Sequence, residues 1–465
     1  MKLLEGFANI FRVPDLRKRV LFTLGLLAVY RLGGHIPTPG VDVNRWQDFF
    51  NSNGGSLFGF FDLFGGGNLR RLTIFALGIM PYITASIILQ LMAVVVPSIE
   101  KMQKEGELGR RKITQWTRYL TIILSVLQSL GIAEGLMSMQ QGFVLSPGIG
   151  FVLLTVISLT TGSAFIMWLG EQISDRGIGN GMSLIIFAGI VVGLPNAIQN
   201  VWTNTFITHE WGALTLISLL VMMLAVVAFI VLVERGERRI PVQYAKRVVG
   251  RRVMGGQSTH MPLKVNAGGV IPVIFASSIL AFPATLANVG PIKNIAWLSA
   301  TLRDIQYGEP LYYVLFVVGI MFFCFFYVSI IFNPNEAADN MRKYGGFIPG
   351  IRPGRNTAEY MNDILTKITV VGGIYLSILC LIPNIMISGI KLNHLWLIGN
   401  WMDRVAPRFL LEGMNVQFYF GGTSLLIVVG VAMDTINQIE AQLIMRHYEG
   451  FTPRSGRIRG RRSTF

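Results

Sequence analysis

Apolar stretches of about 20 residues recur along the whole chain, and they constrain its fold more than any other feature. A helix of about 20 apolar residues crosses the roughly 30 Å hydrocarbon core of a bilayer. The composition agrees, because 52% of the residues are hydrophobic and only 14% are charged. We therefore predict an all-α polytopic membrane protein with ten transmembrane helices. The predicted spans are residues 20–36, 72–96, 115–136, 150–170, 182–200, 213–233, 267–288, 311–332, 368–388 and 416–439.

The basic residues predict the orientation of these helices. Connections rich in Lys and Arg stay in the cytosol, and here the terminal segments and the connections after even-numbered helices carry most of the 40 Lys and Arg residues. The connections between helices 3 and 4 and between helices 5 and 6 carry none. Both termini are therefore predicted to be cytosolic. The predicted regions are a cytosolic segment 1–19, an N-terminal half 20–200, an external connection 201–212, a C-terminal half 213–439 and a basic cytosolic tail 440–465.

One phrase occurs twice, as GIMPYITASIIL from Gly78 and as GVIPVIFASSIL from Gly269, with seven of twelve positions identical. The copies lie in predicted helices 2 and 7, which strict alternation orients in opposite directions. Oppositely oriented copies indicate an inverted repeat, whose Gly/Pro-interrupted helices line the functional centre of many transporters. We expect Pro81 and Pro272 to remove a backbone donor and loosen a helical turn. A chance match between two Ile/Ala/Ser-rich helices is the alternative.

The repeated segments offer branched aliphatic side chains where a coupled transporter needs charge. Pumps and transporters place ionisable residues deep in their helices, whereas Glu134, Asp434 and Glu440 lie toward helix ends. An aliphatic constriction with no fixed chemistry suits a large and chemically varied substrate. An inverted-repeat secondary transporter remains the alternative function.

Enzymatic chemistry finds little support in the sequence. The five histidines lie in loops or near helix ends without paired Ser, Glu or Asp residues, and Cys324 and Cys380 fall inside apolar helices as packing residues. No GxxxxGK[ST] phosphate loop occurs. We expect no enzyme activity, no cofactor and no metal, so the driving energy must come from partners.

The segment before helix 2 is aromatic and rich in glycine. It reads SLFGFFDLFGGGNLRR from Ser56 to Arg71 and is too short to span a membrane. One interpretation is a segment that folds back into a vestibule on a hinge at residues 65–67. The other is an interfacial helix anchored by its phenylalanines.

Two predicted cytosolic loops, about residues 234–266 and 333–367, are long and basic. Residues 233–252 combine many arginines with aromatic and amide side chains, and residues 333–367 are basic with Pro and Gly interruptions that suit a projecting hairpin. Such surfaces suit a polyanionic partner, either RNA phosphate or an acidic protein face. Orientation of the helices alone is the alternative explanation.

Several longer motifs resemble the SecY family, the central subunits of bacterial protein-conducting channels, which are related to the alpha subunit of the eukaryotic translocon. The resemblance covers essentially the whole chain. It rests on FALGIMPYITASIILQL, KEGELGRRKITQWTRY, MWLGEQISDRGIGNG, VERGERR, YAKR, QSTHMPLKVN, GVIPVIFASS, NPNEAADN, GFIPGIRPG and FYFGGTSLLIVVG.

The resemblance implies an hourglass pore between two inverted, pseudo-symmetric five-helix halves. The positions that match the family's aliphatic pore ring are Ile79, Ile83, Met182, Ile186, Ile274 and Ile427. The positions that match its plug, about residues 57–68, are Leu57, Phe58, Phe60, Phe61, Leu63, Phe64, Gly65, Gly66 and Gly67. Thr84, Gln128 and Phe282 match the lateral gate. Lys246, Arg247, Arg251, Arg252 and Arg352 match positions at which the ribosome or the motor docks.

The resemblance also implies partners, a mechanism and a location. The expected partners are the small membrane subunits SecE and SecG, the SecA ATPase, the ribosome with its RNA and proteins, signal sequences and nascent polypeptides, lipid and other Sec accessory proteins. A signal sequence is expected to open the gate and displace the plug in the bacterial plasma membrane. Three departures from the family pattern are Met182 for a branched aliphatic residue, the apolar Phe282, and a long 9/10 connection at residues 388–415.

Overall fold

The structure is a computed structural model in which a helix lies on each of the ten predicted spans. It describes residues 13–52, 62, 65–138, 142–208, 213–244, 247–249, 252–254, 258–286, 309–388 and 422–449. The helices within these residues are α1 (Pro14–Gly33), α2 (Val43–Ser52), α3 (Met80–Val95), α4 (Pro97–Lys104), α5 (Glu107–Ser138), α6 (Ile149–Arg176), α7 (Gly181–Trp202), α8 (Ala213–Glu234), α9 (Ile271–Leu286), α10 (Pro310–Ile331), α11 (Pro334–Lys343), α12 (Arg355–Ser388) and α13 (Gly422–Glu449).

Six of these helices are long and apolar enough to cross a bilayer by length and composition alone, namely α5, α6, α7, α10, α12 and α13. The pair α3 and α4 gives a seventh span if the 107° bend between them is counted within one segment. Residues 220–234 of α8 and 271–280 of α9 form shorter apolar helices. A polytopic, mostly helical fold is confirmed, and the number of ten spans stays a prediction.

The two helices of the repeated phrase begin later than predicted. α3 starts at Met80 rather than at 72, and α9 starts at Ile271 rather than at 267. Gly78 and Gly269 form the preceding turns at φ 57° and 59°, a left-handed conformation that glycine adopts without strain. Each proline is therefore the second residue of its helix, where no N–H donor is needed. The expectation that the prolines loosen a turn inside longer helices is wrong.

Two other helices begin earlier than predicted and extend beyond the apolar spans. α5 starts at Glu107 rather than at 115, and α12 starts at Arg355 rather than at 368. Hydropathy detects only the apolar part of a helix, so the polar cytosolic turns at its end leave no signal.

A three-stranded sheet joins the two basic loops that are predicted to be cytosolic. β1 (Glu237–Tyr244) pairs antiparallel with β4 (Ser258–Lys264), and β5 (Gly346–Phe347) pairs with the other edge of β1. In the chain between β1 and β4, the strands β2 (Arg247–Val249) and β3 (Arg252–Met254) pair with each other as a separate hairpin. We call β4, β1 and β5 the cytosolic sheet, after the predicted location of these loops. Its buried side chains Ile240 and Leu263 pack in one cluster with Met361 and Leu365 of α12, so the two loops form one body.

The largest hydrophobic cluster of the described residues draws on both halves of the chain. Its buried side chains come from α1, α3, α6 and α7 of the first half and from α8, α9, α10, α12 and α13 of the second. α9 contacts both α3 and α5. The two copies of the repeated phrase therefore face each other where the halves meet.

Candidate functional site

A cavity of about 1350 Å³ opens between the two halves. Charged residues line one part of it, including Glu107, Arg110 and Arg118 near the start of α5. Aliphatic side chains line another part, namely Ile83, Met182, Ile186 and Ile274. The cavity thus has a charged part, which we call its mouth, and an aliphatic part, which we call its floor.

The six predicted ring residues come together at this floor. Ile79, Ile83, Ile186, Ile274 and Ile427 are buried in one hydrophobic cluster, and Met182 packs against it. Four of the six line the cavity, and Ile79 and Ile427 lie within the same cluster. They come from α3, α7, α9, α13 and the turn before α3, so the side chains of both halves meet here.

Local structure at the start of α7 positions Met182. The side chain of Asn180 caps the helix, since its Oδ1 accepts a hydrogen bond from the Met182 N–H at 3.1 Å. The Gly181 N–H donates to Ser174 Oγ at 2.9 Å. A Cβ on Gly170 would collide with the Met182 sulfur. Close packing of α6 on α7 therefore holds the methionine toward the cavity.

The predicted gate residues belong to α3, α5 and α9, and we call the contact of α9 with α3 and α5 the seam between the halves. Thr84 on α3 is buried, and its hydroxyl donates to the Met80 carbonyl at 3.0 Å. Ser278 on α9 likewise donates to the Ile274 carbonyl at 2.7 Å. Gln128 is half-buried on α5, and the backbone of Phe282 belongs to α9 while its side chain lies outside the described residues. These hydroxyls are satisfied within their own helices, which leaves apolar packing as the main contact across the seam.

The glycine-rich segment before α3 is fixed by side chains of α1. Tyr30 Oη donates to the Gly65 carbonyl at 3.1 Å, and Arg31 Nη1 donates to the Gly66 carbonyl at 3.1 Å. Asn68 Nδ2 donates to Tyr30 Oη at 3.3 Å. We call residue 62 together with residues 65–68 the plug root. A glycine is required at Gly66, because its φ is 70° and a Cβ there would lie 2.7 Å from the Gly189 Cα.

Asp62, whose carboxylate is buried, accepts hydrogen bonds from backbone N–H groups at the end of the plug root. Asp62 Oδ1 accepts a hydrogen bond from the Arg70 N–H at 2.9 Å, and the Asp62 carbonyl accepts one from the Gly67 N–H at 3.1 Å. Burial raises the pKa of Asp62 to about 6, against the opposing effects of the backbone donors and of Arg70 and Arg71. The residue that follows the root contacts α2, because Trp46 Nε1 donates to the Leu69 carbonyl at 2.9 Å.

The remaining predicted site residues are placed only in part. Leu57, Phe58, Phe60, Phe61, Leu63 and Phe64 lie outside the described residues, as do Lys246 and Arg251. The backbones of Arg247 and Arg252 belong to β2 and β3, and Arg352 is exposed in the loop after β5. The roles of the ring, plug, gate and docking residues therefore stay predictions.

Sequence reasoning missed the polar contacts that hold the plug root. Tyr30 and Arg31 look like the ordinary end of an apolar helix, and they act on backbone carbonyls, which no side-chain pattern reveals. The sequence does contain one indication of the role of Asp62, since it is the single carboxylate in an otherwise aromatic and glycine-rich stretch.

Comparison with known proteins places this geometry in context. A family model described as SecY matches residues 73–436. Protein translocase subunit SecY of Escherichia coli (strain K12) is 49% identical over 441 residues, covering 94% of this chain and 93% of the relative. The protein of the same name from Streptomyces galbus is 47% identical over 463 residues, covering 97% of this chain and all of the relative.

Solved structures of low sequence identity share the fold. A chain from "The structure of a protein conducting channel" aligns with TM-score 0.64 at 17% identity and covers 94% of each chain. Sec61 from a canine ribosome-channel complex aligns with TM-score 0.59 at 17% identity, again over 94% of each chain. From the family match and the two bacterial relatives, the chain belongs to the SecY family.

Proposed function

We propose that the chain is the protein-conducting channel of a bacterial Sec translocase. One observation carries this proposal: the cavity runs from a charged mouth to an aliphatic floor built by both inverted copies. The plug root lies in the chain segment that leads into the first copy of the repeated phrase. A wide entrance above an apolar constriction suits an unfolded polypeptide, whose side chains vary and cannot each be matched by a fixed polar site.

The seam between the halves gives the channel a second exit. α9 packs against α3 and α5, and α3 and α9 contribute buried apolar side chains to one hydrophobic cluster. A signal sequence is an apolar helix, so it can replace these contacts by partitioning between the seam and the lipid. Opening the seam would widen the ring and displace the plug. Polar chains then cross outward, and apolar segments leave sideways into the membrane.

The cytosolic sheet is the proposed docking surface for a driving partner. Arg352 is exposed beside β5, and Arg238 and Arg239 are exposed on β1. A ribosome offers RNA phosphate to such a surface and an ATPase motor offers acidic side chains. SecE and SecG are proposed as further membrane subunits, with both termini of this chain in the cytosol of the bacterial inner membrane.

Reversing one docking charge tests this surface. Arg352→Glu is expected to lower motor-driven export severalfold, because the exposed guanidinium would be replaced by a repelling carboxylate. The level of folded protein in the membrane should not change. Export at the wild-type rate would remove Arg352 from the docking surface.

A secondary transporter is less compatible with the described residues. Small solutes that move with ions need buried charged or polar partners in the spanning helices. The ionisable residues along the cavity lie at its mouth, where Arg118 Nε and Glu171 Oε1 pair at 2.8 Å.

Crosslinking tests the proposed function. Cysteines are introduced by Ile83→Cys, Ile274→Cys and Ile427→Cys, and a secretory chain with a single cysteine is stalled in transit. We expect all three positions to crosslink to the stalled chain. Ile157→Cys is the matched control, because Ile157 is 65% exposed on α6 and does not line the cavity between the halves. Equal crosslinking at Ile157 and at the ring positions would contradict the proposal.

A further inference from the structure

The cytosolic sheet is joined to α9 by a short and well-defined junction. The Val265 N–H donates to the Gly236 carbonyl at 2.9 Å, which extends the β1–β4 ladder by one step toward the membrane. Residues 267–269 then read Ala-Gly-Gly, and α9 begins two residues later. A turn of this composition is flexible by itself, since glycine has few conformational restraints. A movement of the sheet would be absorbed there unless another contact stiffens the turn.

Asn266 supplies that contact. Its side chain is only 4% exposed. Its Nδ2 donates to Glu234 Oε2 at 3.1 Å and to the Gly269 carbonyl at 3.1 Å. A primary amide has two N–H donors, so both are used. One side chain therefore connects the last residue of α8 to the turn that begins α9.

Packing from α12 restricts the same junction. A Cβ on Gly372 would lie 2.9 Å from the Val265 carbonyl oxygen, so the helix backbone approaches this strand end closely. α12 also carries the hydrophobic cluster beneath the cytosolic sheet. A further contact, Lys264 Nζ to Asp434 Oδ1 at 3.9 Å, is exposed and adds little. The buried amide is thus the main polar contact between the sheet's end and α9.

We propose that Asn266 is a positioning residue that transmits a displacement of the cytosolic sheet to the start of α9. Docking of a partner on the sheet shifts β4, and the Glu234–Asn266–Gly269 bonds carry that shift past the glycine turn. This inference rests on the proposed function, which assigns docking to the sheet and gating to α9. It goes further by naming the side chain through which the two communicate.

Hydrogen exchange measures this coupling directly. The full-length protein is placed in lipid nanodiscs, and amide exchange at residues 269–275 is compared with and without vacant bacterial ribosomes. We expect ribosomes to change exchange there in the wild type, and Asn266→Ala to reduce that response by about tenfold, within the range of coupling effects seen for single mutations. Glu234→Ala should reduce it similarly, because the amide then loses its fixed partner.

Two variants separate coupling from a general structural effect. Glu234→Gln keeps an acceptor oxygen for Asn266 and should respond like the wild type. Asn362→Ala removes an exposed asparagine on α12 and is the matched control for the same substitution. Ribosome affinity should be equal in all variants, since none of these residues lies on the docking surface.

The outcomes are distinguishable. A wild-type response in Asn266→Ala overturns the inference. If Asn266→Ala does not fold, a wild-type response in Glu234→Ala overturns it instead. The inference is also overturned if ribosomes bind the wild type without changing amide exchange at residues 269–275. That result leaves the proposed channel function standing. A wild-type protein that binds no ribosomes contradicts the proposed docking itself, and the inference falls with it.

Discussion

The turns before α3 and α9 have the same backbone and different anchors. Gly78 and Gly269 adopt φ values of 57° and 59°, and each is followed three residues later by a proline. The first turn follows the plug root, which is fixed by Tyr30 and Arg31 of α1. The second follows the cytosolic sheet and is fixed by Asn266.

The difference shows how an inverted repeat can specialise without losing its symmetry. In the proposed orientation, the inversion places one turn toward the outside and the other toward the cytosol. The shared turn starts both seam helices at the same point of the repeat. The polar anchors, which lie outside the repeated phrase, connect one helix to the plug root and the other to the sheet that we propose as the docking surface. Under that proposal, displacement of the plug and docking of a partner act on opposite sides of one seam.

The largest effect is expected at the plug root. Gly66→Ala adds a Cβ 2.7 Å from the Gly189 Cα at a φ of 70°, so it combines backbone strain with an overpacking cost of about 1–3 kcal/mol. Ion leak through proteoliposomes should rise strongly. Gly67→Ala is the matched control, because its φ is 84° and nothing lies within 4 Å of a Cβ there. Equal leak in both variants would show that the close approach to Gly189 has no part in closing the channel.

The two turns themselves should respond equally in stability and differently in function. A Cβ fits at both positions, since the nearest atom to Gly78 is 3.8 Å away and none lies within 4 Å of Gly269. The left-handed φ alone costs about 1–2 kcal/mol in Gly78→Ala and in Gly269→Ala. We expect ion leak to rise in the first variant and the ribosome-induced exchange response to fall in the second. The same functional defect in both would contradict the separation of the anchors.

A smaller effect on ion leak is expected from pH, and it arises only at the plug root that precedes the first turn. In the described conformation, burial raises the pKa of the Asp62 carboxyl from its ordinary value of 3.8 to about 6, and we take this conformation as the closed one. When the root opens to water, the carboxyl loses this shift. The closed form therefore binds the Asp62 proton more tightly than the open form does. This contribution to closure is fully present below the ordinary pKa of 3.8 and is lost as pH rises through 6. Ion leak should fall about tenfold from pH 7 to pH 5.

Asp62→Asn is the control for this pH dependence. The amide keeps an acceptor oxygen for the Arg70 N–H and does not titrate. Its leak should be independent of pH over the same range. A pH dependence that persists in Asp62→Asn would assign the effect to another group.

Sequence reasoning predicted a polytopic helical fold and six ring positions that the structure brings into one hydrophobic cluster, and it failed where hydrogen bonds decide the structure. An apolar run marks Ile83 and Ile274, because bilayer thickness leaves few alternatives for such a segment. The start of α3 was misplaced by eight residues, since a positive φ at Gly78 has no hydropathy signal. The cytosolic sheet was missed because β1 and β5 come from different loops. Asn266 was missed because its partners are a distant carboxylate and a backbone carbonyl.

Ion leak in ring variants tests the central claim most directly, namely that buried aliphatic side chains from both halves close one passage. Ile274→Asn and Ile427→Asn each place an amide in the buried cluster, and Ile157→Asn places the same group on an exposed face of α6. The account predicts raised leak and export of clients with weak signal sequences in the first two variants only. Unchanged leak and unchanged signal requirement in Ile274→Asn and Ile427→Asn would contradict it.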